Sequence, residues 1–567
     1  MTQLNKLAAL NCRSIRKNLL LSFTLLTLSA SSGVSLASSE CQNQGYQGQN
    51  TRGDKCEGHP AEVRLLWTND THGFFMPVYH AEPDNVDQYE GIAATEGKLG
   101  GYAQVSTLVK KYKPKRTNAL FLDSGDTFDG SPVAQMTRGE AVIPVLNAMG
   151  YDAWVPGNRD FAWGKSEFLR VTSMINFPTV GSTLRHSDTG ELVFPPYAIM
   201  NLPTKKVLLI GLVHPLVTEG FALGKQLAPG GSPDAFNVAD EMSQMVAELR
   251  AIENPDLVVA MSHFGKLQDL KFATEQSGID VILGGHSHDV FQEPSVLQGK
   301  DGRNVIVTQA GSHSVYLGML DVKIEANNDI SIAGYEVKRI VSDDVKPDPE
   351  VQTIAEAAYA PFKDYLDRQV GNTSTTIFRR GDTQSTMSNF LMDALTDTYG
   401  ADISHFRGIR YGSTIPPGPI TVGDVWNMVS PNFGDNKVYT GAIKGSFVYG
   451  VLNTLLNRQF GTDPYKWPGG DVMRWNGNVK YTYRANALDN EHIVDLKIGN
   501  DYLVQNGVKN QANIDKVYTF AATSPPPPAP QTATPVAGTT AVDEIIKYIE
   551  AHQTVSPVLD DRAVQID

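Results

Sequence analysis

Residues 61 to 340 carry one repeated pattern that constrains the fold more than any other feature, a short apolar run that ends in a polar cluster. The first run begins at Val63 and breaks off at Asp70, Thr71 and His72. Apolar runs of this length, alternating with segments of helical spacing, predict the buried strands of an α/β fold. Because such folds bind ligands at the carboxyl ends of their strands, the polar clusters are the candidate functional residues.

Five of the predicted strand ends carry side chains that bind divalent metal ions. Alternate residues of a strand point the same way, so Asp70 and His72 are predicted to lie side by side. Each cluster alone has an ordinary interpretation as a helix cap or a core residue. Five in succession favour one metal site, since carboxylate, amide and imidazole groups suit transition metals. The candidate ligands are Asp70, His72, Asp126, Asn158, His263, His286 and His288.

This set of ligands is too large for a single ion. One tetrahedral ion needs fewer, so two ions that share a carboxylate fit better. We predict Asp126 as the shared ligand because it follows a central strand and because Gly125 lets the backbone come close to the ions. Such ligands accept Mn, Zn, Co or Fe, so the sequence leaves the identity of the metal open.

The first 37 residues are typical of an export signal. Arg13, Arg16 and Lys17 form a basic start, an apolar run too short to span a bilayer follows, and small residues lead to a predicted cleavage after Ala37. We therefore expect a periplasmic or secreted protein with no stable membrane insertion after cleavage. An uncleaved anchor is the alternative.

Cysteine usage and charge agree with this expectation. Cys41 and Cys56 lie in a polar extension, residues 38 to 60, and we predict a disulfide between them, with two free thiols as the alternative. The formal net charge is −14, and it becomes −18 without the first 37 residues, which contain four basic and no acidic side chains. That balance argues against duplex nucleic acid as a partner.

The five clusters, in this order and at these intervals, resemble the calcineurin-like metallophosphoesterase domain of the 5'-nucleotidase family. The motifs that carry the resemblance are Asp70-x-His72, Gly125-Asp126, Gly157-Asn158, Ser262-His263 and Gly284-Gly285-His286-Ser287-His288. The resemblance implies a four-layer α/β/β/α sandwich over residues 61 to 340. It implies that one ion is held by Asp70, His72, Asp126 and His288, and the other by Asp126, Asn158, His263 and His286.

The same resemblance implies a metal-dependent hydrolase. Two cations close together lower the pKa of a shared water and neutralise charge on a tetrahedral phosphorus or sulfur centre. The leading expectation is therefore release of phosphate from nucleotides, or from related phosphate esters and anhydrides, by attack of a metal-bound hydroxide.

Residues 157 to 163 depart from the family pattern. Family nucleotidases have a His after the Asn, oriented by a later Asp, whereas this chain has Arg159 followed by Asp160, and the orienting Asp falls on no acid. Both residues are our catalytic candidates. Because arginine stays protonated, Arg159 can bind an anion but is a poor proton donor. We hypothesise a leaving group that needs little protonation, such as a phosphoanhydride or a thiol-like group; the alternative is that Arg159 turns away and pairs with an acid.

The second half is predicted to be a linker helix, residues 341 to 370, followed by a smaller α+β domain, residues 371 to 567. This part resembles the family's C-terminal substrate-binding domain more loosely. Arg410 matches an arginine that binds the anionic group of the substrate, and Arg380 and Phe433 are further substrate-binding candidates. Phe433 resembles the first of two aromatic residues that sandwich a base. The second is missing, so Phe433 is expected in the core more than in a stacking role.

Two other functions remain open. Arg380, Arg410 and Arg474 lie in stretches that resemble the thiosulfohydrolase branch, which predicts sulfate release from a carrier-bound sulfur substrate and a sulfur-carrier protein as partner. Against this, residues 157 and 158 keep Gly-Asn, where that branch is expected to have Gly-His. A non-catalytic metal or anion binder is the third interpretation.

Overall fold

The computed structural model describes residues 62–80, 89–229, 232–325, 329–408, 412–429, 437–467, 471–523 and 533–566. These residues all belong to one compact unit, Gly58–Asp567. The export signal, the Cys41–Cys56 disulfide, and the roles of Arg410 and Phe433 lie outside the described residues.

The first half alternates strands and helices, as its sequence pattern predicts. Its strands are β1 Glu62–Thr68, β2 Ala119–Asp123, β3 Ala153–Trp154, β4 Leu184–His186, β5 Tyr197–Asn201, β6 Lys206–Leu212, β7 Phe221–Leu223, β8 Ala228–Pro229, β9 Leu257–Ser262, β10 Val281–Gly284, β11 Ser295–Gln298, β12 Asn304–Gln309, β13 Tyr316–Ile324 and β14 Ile330–Arg339. Its helices are α1 Tyr89–Glu96, α2 Tyr102–Tyr112, α3 Pro132–Thr137, α4 Ile143–Met149, α5 Lys165–Thr172, α6 Ala239–Glu253 and α7 Lys266–Glu275.

Two sheets form the centre of this half. The first has the order β14-β13-β1-β2-β3, with β1, β2 and β3 parallel and β13 antiparallel to β1. The second has the order β11-β12-β10-β9-β6-β5, with β6, β9, β10 and β12 parallel. A small third sheet contains β4, β7 and β8.

The strands of the second sheet are apolar on both faces. In β6, Val207 and Leu209 belong to the core shared with the first sheet, whereas Leu208 and Ile210 pack with residues of α6 and α7. This alternation follows from the two-residue period of a strand. The first sheet shares its core with α2 and α4. The predicted α/β/β/α sandwich is thereby confirmed.

The second half is a mixed α/β region with shorter strands. Its helices are α8 Pro349–Tyr359, α9 Lys363–Leu366, α10 Thr386–Tyr399, α11 Val422–Val429, α12 Gly445–Phe460, α13 Gln511–Asp515 and α14 Ala541–His552. Its strands are β15 Gln369–Thr373, β16 Ile403–Gly408, β17 Gly418–Thr421, β18 Tyr439–Lys444, β19 Asp471–Trp475, β20 Val479–Tyr483, β21 Ile493–Ile498, β22 Asp501–Gln505, β23 Val508–Lys509, β24 Val517–Ala522, β25 Thr534–Pro535, β26 Thr554–Val555 and β27 Ala563–Gln565.

The predicted linker helix is interrupted. The side chain of Asp348 caps α8 by accepting hydrogen bonds from the backbone N–H groups of Glu350 and Val351. A 3-10 turn, Ala360–Phe362, then separates α8 from α9. Pro361 explains the break because proline has no N–H to continue the helix. The chain is already in β15 at Gln369, so the helical part ends before the predicted boundary at residue 370.

No helix among the described residues is both long and apolar enough to cross a membrane.

Candidate metal centre

The predicted ligands follow five strands that end at one edge of the two sheets. Three of these strands, β1, β2 and β3, belong to the first sheet, and β9 and β10 belong to the second. Asp70 and His72 follow β1, and His286 and His288 follow β10. The structure brings six of the seven ligands into two groups, Asp70 with His72 and His288, and Asp126 with His263 and His286.

The ligand residues adopt an unusual backbone. Asp70 and His72 both have φ of +50°, and Asp126, His286 and His288 have φ of +54°, +71° and +59°. A side chain in this left-handed region costs about 1–3 kcal/mol, and such residues concentrate at functional sites. Asp70 and His72 lie in one group, as predicted, but β1 ends at Thr68, so a loop in the left-handed region brings them together and not the alternation of a strand.

Backbone hydrogen bonds join the loops after β1 and β2. Asp70 N donates to Gly125 O at 2.8 Å, and His72 N donates to Asp126 O at 2.8 Å. Gly125 has φ of +89°, and a Cβ there would lie 2.4 Å from the backbone nitrogen of Gly157. Glycine therefore permits the close approach that the sequence suggested. The strand before Asp126 is not central, however, since β2 lies next to the edge strand β3.

The ligand atoms of the first group lie close together in the interior. His72 Nε2 lies 3.1 Å from His288 Nε2, and His288 Nε2 lies 3.2 Å from Asp70 Oδ1. All three side chains are buried. In the second group, His263 Nε2 lies 3.1 Å from Asp126 Oδ2. Its neighbour His286 has Nδ1 2.7 Å from Asn158 Oδ1, so the seventh predicted ligand also lies at this group.

Asp126 lies between the two groups. Its Oδ2 is 3.1 Å from His263 Nε2 and 3.9 Å from His72 Nε2. Its Oδ1 accepts a hydrogen bond of 2.6 Å from the backbone N–H of Arg159, so one oxygen is fixed and the other faces both groups. This geometry is what a shared carboxylate needs.

The hydrogen bonds of the histidines show that the donor set fits divalent cations. His72 Nδ1 lies 2.9 Å from Asp129 O, and His263 Nδ1 lies 2.6 Å from Ser124 O. A carbonyl oxygen only accepts, so each Nδ1 must carry the proton. In the neutral rings the Nε2 lone pair then faces carboxylate oxygens, which are also acceptors. A cation between them resolves this conflict, and a backbone partner on Nδ1 is the usual support of a metal-binding histidine.

Burial and charge shift the pKa values of these groups. Burial raises the pKa of Asp70 to about 6, although His263 opposes the shift. Burial lowers the pKa of His263, but the carboxylates of Asp126 and Asp70 outweigh it and raise this pKa to about 10. Burial also lowers the pKa of His72. Without a cation, the site would therefore hold a proton between His263 and the carboxylates, at the place where a metal ion fits.

Asp160 supports the site without facing it. Its Oδ1 accepts from the backbone N–H groups of Thr127 and Phe128, and its Oδ2 accepts from those of Asp126 and Gly157. These four bonds occupy the carboxylate. In the structure, Asp160 joins the loops after β2 and β3, and the catalytic role predicted for it stays a prediction.

Arg159 is buried and paired with an acid. Its Nε donates to Asp129 Oδ2 at 2.7 Å, and the two side chains are 5% and 0% exposed. This pairing is the alternative that the sequence left open. The positive charge of Arg159 still contributes to lowering the pKa of His72, so the guanidinium lies near the first group. A direct role of Arg159 towards substrate stays a prediction.

Two further histidines lie at this site and were not predicted from the sequence. His214 follows β6, and its ring stacks on that of His286 with centroids 3.8 Å apart. His313 follows β12, donates its backbone N–H to Asp70 O at 2.8 Å, and has its ring 5.8 Å from that of His72. Both lie just beyond strands of the second sheet, so the rule that identified the ligands would also have identified them.

The second half of the chain reaches the metal centre. Arg380 Nη1 donates to Ser287 O at 3.5 Å, between the ligands His286 and His288. Gly412 N donates to His313 Nε2 at 3.1 Å. Arg380 therefore lies next to the candidate metal ligands, and its role in binding substrate stays a prediction.

A docking segment, residues 463 to 467, attaches the second half beside the second group. Tyr465 is 5% exposed, stacks on Phe236 with centroids 5.2 Å apart, and donates its hydroxyl to Glu275 Oε2 at 2.7 Å. Trp467 ends the segment with its ring 6.5 Å from that of His286. A side chain of the second half is thus part of the hydrophobic core of the first.

The two-sheet sandwich with this pair of Asp/His groups defines the class as a metal-dependent phosphoester hydrolase. Residues 63–290 match the family model described as calcineurin-like phosphoesterase, and residues 369–524 match that of the 5'-nucleotidase C-terminal domain. The chain belongs to the 5'-nucleotidase family.

Known relatives and solved structures agree with this assignment. The chain is 24% identical over 470 residues to the trifunctional nucleotide phosphoesterase protein YfkN of Bacillus subtilis, covering 75% of this chain but only 31% of that protein. Among solved structures, the sulfate thiohydrolase SoxB of Thermus thermophilus gives a TM-score of 0.74 at 21% identity, covering 92% of this chain and 98% of that one. A 5'-nucleotidase precursor, also from Thermus thermophilus, gives 0.73 at 22%, covering 89% and 99%. These two structures share the fold equally well, so the fold does not discriminate between their activities.

Proposed function

We propose that this protein is an exported dinuclear-metal hydrolase that releases phosphate from nucleotides or related phosphate esters and anhydrides. The observation that carries the proposal is the position of Asp126 Oδ2, 3.1 Å from His263 and 3.9 Å from His72, because a carboxylate between two ligand groups suits two ions. The relative YfkN is a nucleotide phosphoesterase by name, which supports nucleotides as the substrate class.

The proposed mechanism assigns roles to this chain's own residues. Asp70, His72, His288 and Asp126 would hold one ion, and Asp126, Asn158, His263 and His286 the other. Two divalent ions, when bound, would activate water and neutralise charge on the transferred phosphoryl group. The carbonyls of Asp129 and Ser124 keep His72 and His263 in the tautomer that leaves Nε2 available. Arg159 and Arg380 contribute positive charge for the substrate's anionic groups, with Arg410 as a further candidate.

A test compares phosphate release from a panel of nucleotides by metal-loaded wild type and the His263→Ala variant. We expect loss of one metal equivalent and a fall in rate of about 100-fold or more, since even changes to the partners of metal ligands cost 10–100-fold. His552→Ala is the matched control because His552 is exposed on α14. Two bound metal equivalents with no turnover of any ester would overturn the proposal.

Export and the domain boundaries are part of the proposal. The basic start and small-residue exit of the first 37 residues support cleavage after Ala37. Amino-terminal sequencing of the protein recovered outside the cytoplasm checks this, and a mature chain that still begins at Met1 would contradict it. A mass measurement with and without reductant tests the Cys41–Cys56 disulfide.

The second candidate is a thiosulfohydrolase-like reaction, favoured by the sequence around Arg380 and Arg474. Arg474 is 2% exposed and donates to the backbone carbonyl of Gly381, so it holds the loop that carries Arg380. Sulfate release from a peptide that carries an S-sulfonated cysteine, without phosphate release from nucleotides, would support this function over the first.

A further inference from the structure

The acid that faces Arg159 comes from outside the motif that contains Arg159. Asp129 lies in the loop after β2, 30 residues earlier in the chain, and its Oδ2 accepts the Nε–H of Arg159 at 2.7 Å. Gln135 donates its side-chain amide to Asp129 Oδ1. Both carboxylate oxygens therefore have fixed donors, and Asp129 holds the Nε edge of the guanidinium.

This ion pair is attached to the metal centre through the backbone at both ends. The carbonyl of Asp129 accepts from His72 Nδ1 at 2.9 Å. The N–H of Arg159 donates to Asp126 Oδ1 at 2.6 Å. His72 belongs to the first group and Asp126 lies between the groups. A shift of Asp129 would therefore displace His72, and a shift of Arg159 would displace Asp126.

A buried ion pair is a weak argument for stability, since well-packed apolar residues often serve as well. An ion pair that fixes a cation next to a phosphoryl group has a functional advantage, because preorganised charge stabilises the transition state without reorganisation. Arginine does this with a planar set of donors that matches phosphate geometry.

We propose that Asp129 is the positioning residue for Arg159, in place of the orienting acid that the motif lacks, and that the pair selects phosphoanhydrides over alkyl phosphate esters. This inference rests on the proposed function. In the reaction, a bond forms from the water oxygen to phosphorus and the bond from phosphorus to the leaving oxygen breaks. A guanidinium does not supply a proton to that oxygen. The leaving group therefore departs as an anion. A phosphate leaving group is stable as an anion, whereas the alkoxide from an alkyl ester is a strong base and leaves poorly. The protons of the water pass to the product phosphate or to solvent.

The first test replaces the charge of Asp129 and keeps its shape, with Asp129→Asn. Isothermal calorimetry with inorganic phosphate on the metal-loaded protein measures anion binding without turnover, and metal analysis verifies that both ions are present. We expect phosphate to bind about 10-fold more weakly, as for the loss of a charge-assisted contact. The ratio of the turnover rate of a nucleoside diphosphate to that of an alkyl phosphate should fall as well.

The matched control is Asp280→Asn. Asp280 is a carboxylate with 1% exposure, paired with Arg250 at 2.5 Å, at the opposite end of β10 from the ligands. This variant should lose stability without a change in phosphate affinity or rate ratio. If Asp129→Asn behaves in the same way, Asp129 is only structural and the inference is overturned.

A second test uses chemical rescue. Arg159→Ala leaves room beside Asp129, and added guanidinium ion should restore phosphate binding at least in part, whereas the Asp129→Asn/Arg159→Ala double variant should show no rescue. Equal rescue in both variants would overturn the role of Asp129. A wild-type protein that binds two metal equivalents but hydrolyses no phosphate compound would instead contradict the proposed function, so the two failures are distinguishable.

Discussion

At the scale of single residues, the candidate metal centre depends on residues that bind no metal. Gly157 is the clearest case, because a Cβ at this position would lie 2.2 Å from Asp126 Oδ1 and 2.7 Å from His263 Cε1. The missing side chain is what allows a shared carboxylate and an imidazole to meet next to the loop after β3.

We predict that Gly157→Ala folds but binds metal about 10–100-fold more weakly, because Asp126 and His263 must move apart. Metal titration followed by calorimetry measures this. Gly450→Ala is the control, since Gly450 lies in α12 with open space around it, and alanine there should stabilise the helix by about 0.5–1 kcal/mol. Unchanged metal affinity in Gly157→Ala would contradict the prediction.

Asp123 gives the same region a dependence on pH. Its carboxylate accepts from Thr68 Oγ1 at 2.6 Å, Thr127 Oγ1 at 2.7 Å and Gly125 N at 3.0 Å. Burial nevertheless raises its pKa to about 7. Its pKa in the unfolded chain is about 3.9, so the folded protein holds the extra proton between these two values.

A raised pKa in the folded state means that stability is lost as the pH rises. We predict that, in metal-free protein, Asp123 lowers the free energy of unfolding by up to about 1.4 kcal/mol per pH unit between pH 4 and 7. Asp123→Asn imitates the protonated acid and should remove this contribution. Urea unfolding of both proteins at several pH values in this range measures the difference, and parallel pH profiles would contradict it.

At the scale of elements, the docking segment joins the two halves at a helix that follows a ligand. Lys271 Nζ of α7 pairs with Asp463 Oδ1 at 2.9 Å, and Gln268 Nε2 of α7 donates to Pro464 O at 3.0 Å. Tyr465 packs between these polar contacts in the core of the first half. Since α7 begins three residues after His263, the segment also supports the second group of ligands.

We predict that Tyr465→Ala destabilises the protein by about 3–5 kcal/mol, as expected for loss of a buried aromatic ring. If the segment couples the halves, thermal unfolding should change from one transition to two, and scanning calorimetry detects this. Tyr502→Ala is the control because Tyr502 is 36% exposed. A single transition with unchanged midpoint would mean that the segment contributes little.

At the scale of the whole molecule, the proposed metal ions would compensate for buried like-charged groups. Asp70 and Asp126 are both buried, the charge of Asp126 contributes to raising the pKa of Asp70, and five ligand residues have strained backbone. Ions that bind only the folded state stabilise it by mass action, by about 2.7 kcal/mol per site at 100 times the dissociation constant.

We therefore predict that a chelator lowers the midpoint of thermal unfolding by several degrees, and that added Mn²⁺ or Zn²⁺ restores it. For a domain of 150–250 residues about 1 kcal/mol corresponds to about 2–4 °C, and the shift is smaller for a larger domain. His263→Ala should respond less to added metal, and His552→Ala should respond like wild type. An unfolding midpoint that is independent of both chelator and metal would contradict the two-metal site.

Much of the site could be predicted because each ligand directly follows an apolar run. Asp126, His263 and His286 lie within a few residues of β2, β9 and β10, so locating the strands located the candidate ligands. The geometry of Asp70 and His72 was harder. Strand alternation suggested the right pair for the wrong reason, since nothing local shows that both residues take a left-handed conformation.

By itself, the sequence determined which potential metal-binding side chains follow the strands and that they lie at one edge of the sheets, because apolar runs and the polar residues after them are local features. Only the tertiary structure decided that Asp160 holds loops together, that Asp129 pairs with Arg159 and that Tyr465 docks on Glu275. The last two contacts join residues 30 and 190 positions apart. Whether such residues meet depends on how sheets and helices pack, and local sequence patterns do not encode that packing.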